Sequence, residues 1–130
     1  MSIRGPRNSL LEIAEDVIGV ARREADDGYR RRDTLKIRQA AEKTWLAVNM
    51  ATDHAMEQHG ITPAAGSDSH ISRHEFLESI GRRDISKELS FFADRLHGDC
   101  FYKGSCPTED GMRLALDEAE QFIRRVRVEL

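Results

Sequence analysis

The residues best equipped for chemistry crowd into one short stretch, Arg95-Leu96-His97-Gly98-Asp99-Cys100-Phe101-Tyr102. An imidazole takes or gives a proton near neutral pH, so His97 is the candidate catalytic base, with Asp99, Tyr102 and Arg95 as its candidate companions. The competing role is structural. His97 follows Leu96, and a histidine beside an apolar stripe commonly serves as a hydrogen-bonded residue at a helix seam. No nucleophile pairs with it in sequence, and the structural role is the preferred reading.

Five histidines and two cysteines invite a metal reading. His70 and His74 are four apart, the spacing that places two ligands on one helix face; His54 and His59 are five apart. Ser72 is the expected helix cap, however, which leaves His70 outside the helix. His97 and Cys100 also have ligand-like spacing, but Cys100 completes an apolar stripe. Neither C-x-x-C nor H-E-x-x-H is present, so no metal or cofactor is expected. Cys100 and Cys106 are expected as reduced thiols, with a redox pair as the alternative.

Arginines cluster at Arg22-Arg23, Arg30-Arg31-Arg32, Arg82-Arg83 and Arg124-Arg125 with Arg127. Residues 22–38 carry seven basic against four acidic side chains. A phosphate or nucleic-acid patch would therefore centre on Arg30, Arg31, Arg32, Lys36 and Arg38. A solvated surface paired with acidic neighbours is the preferred alternative.

The elements that must position these residues are helical. Hydrophobic residues make up 39% of the 130-residue chain and charged residues 33%, and only three prolines and nine glycines interrupt it, so long periodic runs dominate. The net charge of -3 argues against a general polyanion binder. No signal core or membrane span is visible, which makes a cytoplasmic protein of one domain, 1–130, the expectation.

Residues 1–8 read as a loose tail. Ser9 with Glu12 forms a capping box that opens a first helix near Leu10. Its stripe is Leu10, Ala14, Val17 and Ala21, supported by Leu11 and Ile18, and Gly28 is the expected C-terminal cap. Asp33 or Thr34 caps a second helix with the stripe Ile37, Ala41, Thr44/Trp45, Val48, Ala51 and Ala55, stopped at Gly60. Residues 61–71 are a small, polar, flexible loop. Ser72 with Glu75 opens a short helix, Arg73–Ile80. Asp84 caps a further long one, whose stripe is Ile85, Leu89, Phe92, Leu96 and Cys100, widened by Phe91 and Ala93. Thr108 caps the last helix, striped by Met112, Ala115/Leu116, Ala119, Phe122, Val126 and Leu130. Four long amphipathic helices and one short one predict an all-α fold, an antiparallel up-and-down four-helix bundle.

Two stretches carry a family resemblance. Arg38-Gln39-Ala40-Ala41-Glu42-Lys43-Thr44-Trp45-Leu46-Ala47-Val48 resembles the second helix of HEPN-type bundles. Leu96-His97-Gly98-Asp99-Cys100-Phe101-Tyr102 is similar to the Leu-His-x-x-Phe-Tyr signature of the PaREP-type family of small helical proteins, with one residue inserted, or Cys100 replacing a position, before Phe101-Tyr102. The resemblance implies an up-down bundle, commonly a homodimer, often beside a nucleotidyltransferase-like partner. Many HEPN proteins are metal-independent ribonucleases that use an arginine, four to six further residues and then a histidine. No histidine here has an arginine at that distance; Arg95 is only two before His97. The favoured expectation is therefore a non-catalytic HEPN-like binding or assembly module. The alternatives are an RNA- or nucleotide-directed enzyme, such as a HEPN-type ribonuclease or toxin component, working through the His97 cluster, and a small metal-binding bundle.

Overall fold

A computed structural model describes residues 9–130, and the expected tail 1–8 lies outside the described residues. Among those residues the chain is all helical: α1 (Leu10–Arg31), α2 (Thr34–Gln58), a 3-10 turn (Gly66–Asp68), α3 (Ser69–Ser79), α4 (Arg83–Phe92), a π-helical continuation of α4 (Ala93–Tyr102) and α5 (Glu109–Glu129).

Three of the helix starts follow the expected local chemistry. The Ser9 hydroxyl accepts from the Glu12 N–H, the Asp33 carboxylate from Lys36 and the Thr108 hydroxyl from Gly111, so each satisfies a backbone donor that the first turn leaves free. The first helix ends differently. It runs through Gly28 to Arg31, and Arg32 takes the left-handed conformation that closes it (φ 54°). Gly28 is buried inside the helix instead of capping it. A Cβ there would stand 2.9 Å from Cγ1 of Ile37, so glycine is what lets the start of α2 come this close.

Ser72 is not a cap either. Helix α3 begins at Ser69, which brings residues 69–71 of the expected loop, His70 included, into the helix. Asp84 lies inside the first turn of α4, which begins at Arg83.

One apolar core joins all five helices. The α1 stripe is rotated slightly from the expected one: Leu11, Ala14, Ile18, Ala21 and Ala25 are buried, while Leu10 and Val17 sit at the margin. Helix α2 is buried on most sides, through alanines that admit neighbours closely and through Trp45, Val48 and Met56. Trp45, Leu89, Phe92, Leu96 and Phe122 are all buried in this cluster, and the Phe92 and Phe122 rings meet edge to face at 5.7 Å. Phe91 lies instead on the outer surface, 48% exposed.

Charged pairs along the helix margins set the register. Lys36 binds Asp27 and Lys43 binds Glu24, between α2 and α1. Arg22 reaches Asp117 and Glu120, and Arg127 reaches Glu15, between α1 and α5. Arg82, at the start of α4, reaches Glu129, and Arg125 reaches Glu88, between α4 and α5. In each pairing the numbering rises along one helix as it falls along the other.

Candidate functional site: a ring-lined cleft at His97

The π-helical segment carries His97. Its wider winding shows at the end, where Lys103 N–H donates to the Gly98 carbonyl, five residues back, at 3.1 Å. The segment is anchored from two sides. Leu96 and Cys100 are fully buried, and the Arg38 guanidinium of α2 donates to the Phe101 and Tyr102 carbonyls at 2.8 and 3.0 Å. Arg38 thus satisfies carbonyls that a helix end leaves unpaired. Gly98 faces no other helix; its nearest potential Cβ contact is the Ala93 carbonyl of its own segment, at 3.5 Å.

His97 meets a partner 55 residues away. Its Nδ1 lies 2.8 and 3.0 Å from the two carboxylate oxygens of Glu42 on α2, and both side chains are about one-third exposed. A carboxylate on Nδ1 fixes the ring orientation, so a proton resides on that nitrogen and Nε2 is turned toward other uses. The ring stacks on Phe101 at 6.2 Å and meets the edge of Tyr102 at 4.8 Å, with Trp45 behind it at 5.9 Å.

Two of the other expected members have partners of their own. Arg95 lies over the Phe91 ring at 5.3 Å, beside a groove between α4 and α5. Asp99 pairs with Lys103 at 3.9 Å. Tyr102 does touch His97 but is 66% exposed. The basic corner is similarly occupied. Arg30, Arg31 and Lys36 all converge on Asp27, whose carboxyl is held below its ordinary range by Lys36 and Arg30. Arg38 is engaged with backbone carbonyls, and Arg32 is the exposed cap residue of α1.

A cleft of about 390 Å³ opens beside His97, bounded by Trp45 and Asn49 of α2, the turn at Gly66 and Ser67, and His70 and Arg73 of α3. Its charges are already paired. Arg73 holds Asp53 in a two-pronged contact at 2.8 and 3.1 Å. His74 is also satisfied, with Nδ1 2.6 Å from the buried Ser86 hydroxyl. Burial holds the pKa values of His70 and His74 below the ordinary histidine range, with the His74 charge adding to the effect at His70. Two polar atoms are sealed in without partners: Asn49 Oδ1 and His70 Nδ1. Each such orphan costs roughly 1–3 kcal/mol.

His70 and His74 do share one face of α3, with ring centroids 4.5 Å apart, because the helix starts earlier than Ser72. Among the described residues no group of three His, Cys, Asp or Glu side chains gathers in ligand geometry.

The two cysteines are not free thiols. Cys100 and Cys106 form a disulfide that ties the end of the π segment to the turn before α5. Closing so short a loop removes little unfolded-state freedom and is worth about 2 kcal/mol. The same turn is already held by Gly104 N–H to the Cys100 carbonyl and Ser105 N–H to the Asp99 carbonyl. Among the described residues no helix is long and apolar enough to cross a membrane.

Sequence reasoning missed Glu42 and Asn49. Glu42 lay in plain view on an amphipathic helix, but its partner is remote in sequence. Asn49 had a weak signal: an amide set between Val48 and Met50 in the most buried helix. Comparison of this chain with family models, with curated proteins and with solved structures finds no match.

Proposed function

We propose that the chain is an up-and-down four-helix bundle of the HEPN-like kind, a single domain built from α1, α2, α4 with its π extension, and α5, with α3 as an added short helix. It acts as a non-catalytic binding and assembly module, a cytoplasmic homodimer that also docks a nucleotidyltransferase-like protein. The opposed senses of the charged pairs between α1 and α2, α1 and α5, and α4 and α5 support the bundle. The observation that carries the non-catalytic reading is the surroundings of His97. Its nearest charged partner is Glu42, Arg95 lies beside a different groove, and Arg73 is engaged by Asp53. Among the described residues no unpaired cation stands beside the imidazole to stabilise the negative charge that develops on the phosphoryl oxygens in RNA cleavage.

Light scattering of the purified protein is expected to give twice the chain mass. A monomer at micromolar concentration would remove the assembly role. Incubation with single-stranded RNA is expected to leave the RNA intact.

A second reading is an RNA- or nucleotide-directed enzyme, favoured by the Glu42–His97 contact itself. A carboxylate that orients an imidazole at the edge of a cleft is the arrangement of a general base and its positioning group. RNA hydrolysis that disappears in His97→Ala and falls in Glu42→Gln, with helicity retained, would establish this reading over the first.

A further inference from the structure

Two large apolar side chains stand out of the surface on the two walls of one groove. Phe91, on α4, is 48% exposed, and Leu114, on α5, is 59% exposed. Buried Phe92 and Leu96 form the floor between them. The groove encloses about 120 Å³, below the range of about 300–1,000 Å³ usual for small-ligand sites. A small molecule there would leave most of both side chains in water, whereas a protein surface covers them together.

Charge decides which protein surface. Arg95 lines the π-helical wall of the groove and Glu118 the α5 wall. Among the described residues neither has an ion-pair partner, while Arg125 and Glu88 close by, on the same two helices, hold each other. The Arg95 guanidinium lies over the Phe91 ring at 5.3 Å, which positions the charge without neutralising it. A partner must therefore bring an anion for Arg95, a cation for Glu118 and apolar surface between them. This face carries all three itself. A two-fold contact presents the same face twice, so Arg95 of each copy meets Glu118 of the other, and two ion pairs flank one apolar centre. An exposed aromatic ring with an arginine on it is also the composition that interface centres favour.

We propose that the α4–α5 groove is the contact face between two copies of this chain, with Phe91 and Leu114 at its centre and Arg95 paired to Glu118 of the partner subunit. This contact gives a place to the homodimer proposed above and rests on that reading.

Light scattering of the full chain at micromolar concentration is expected to give twice the chain mass. Leu114→Glu puts a charge at the apolar centre and is expected to give the mass of one chain, with helicity retained because the leucine lies outside the core. Arg95→Glu and Glu118→Arg each set like charges together at both pairs, and each is expected to weaken the dimer at least about tenfold in sedimentation equilibrium. Combined in one chain they restore opposite charges, and the double variant is expected to return to within about threefold of the parent. Leu46→Glu, at an exposed leucine of α2, is expected to stay dimeric. A dimer that survives Leu114→Glu or either single charge reversal would overturn the assignment of this face. So would a double variant as weak as the single ones, or a folded Leu46→Glu monomer. Each of these leaves the homodimer itself standing on another face, whereas a monomer in the unaltered chain would overturn both readings.

Discussion

Between Arg83 and Phe92 the fourth helix has α geometry; between Ala93 and Tyr102 the same helix continues in π geometry. The α half faces the core with Ile85, Leu89 and Phe92, and its flank is closed by a dense ionic network in which Arg82 and Arg125 share Asp84 and Glu129. The π half also buries a stripe, Leu96 and Cys100, but its flank is open. It has His97 on Glu42, aromatic rings partly in solvent and, beside the cleft, two sealed polar atoms without partners. One half is finished as packing. The other is stabilised at its ends, by Arg38 and by the disulfide, and left unfinished in between. A fold tolerates such a region when the rest of the core supplies the stability.

The comparison predicts its largest effect in the α half. Phe92→Ala is expected to destabilise the protein by about 3–5 kcal/mol in chemical denaturation, since the ring is fully buried against Phe122. A loss under about 1 kcal/mol would mean that the closed half is not the stabilising one.

Two glycines sharpen the contrast between close packing and open flank. Gly28→Ala must push a Cβ to within 2.9 Å of the Ile37 side chain and 3.1 Å of its backbone nitrogen, so a loss of roughly 1–3 kcal/mol is expected. Gly98→Ala in the π half meets only ordinary contact at 3.5 Å, and is expected to change stability by less than about 1 kcal/mol. Equal losses for the two would show that the π half is packed as tightly as the α1–α2 corner.

Reduction of the Cys100–Cys106 bond tests how the π half is held. A thiol reductant is expected to lower stability by about 2 kcal/mol and leave helicity in place, because Arg38 and the backbone bonds of Gly104 and Ser105 keep the turn closed. Unfolding on reduction would make the disulfide the main support of this end.

The buried stripe was legible in the sequence through both halves, and the partners on the open flank were not, for physical reasons. Burial of Ile85, Leu89 and Phe92 follows from helical periodicity, a local property of the chain. The capping boxes gave one true start, at Ser9, and one false one, at Ser72. There the chain turns through Gly66–Asp68 first, and the helix opens at Ser69. Gly28 shows the same ambiguity: a glycine near a helix end reads as a cap until the neighbour that it admits, Ile37, is placed. The π winding left no trace, because the spacing of Leu96 and Cys100 suits an α-helix equally well. The site depended on pairs far apart in sequence, Glu42 with His97 and Arg38 with Phe101, which no local pattern announces.

The smallest effect expected to be measurable is a pH dependence at the cleft. His70 is faced by His74 and Arg73 on its own helix and by Asp94 and His97 across the cleft; His74 is faced by Arg73 and Glu78. Burial is the largest influence on both rings and disfavours their charged forms, so each binds a proton less readily folded than unfolded. Below the unfolded value of about 6.5 the unfolded chain takes up protons that the folded chain resists, and stability falls as pH falls. Above that value both states are neutral at these rings and the contribution is fully present. Both side chains are only half-buried, so solvent screens part of the effect and the change is expected to be smaller than that of any substitution above except Gly98→Ala. Thermal melts at pH 7.5 and 5.5 should show a lower midpoint at the acid value, and His70→Gln should reduce that difference while Phe92→Ala leaves it intact. A midpoint that rises on acidification would mean that the two rings gain charge on folding, and the cleft would then be a site for an anion.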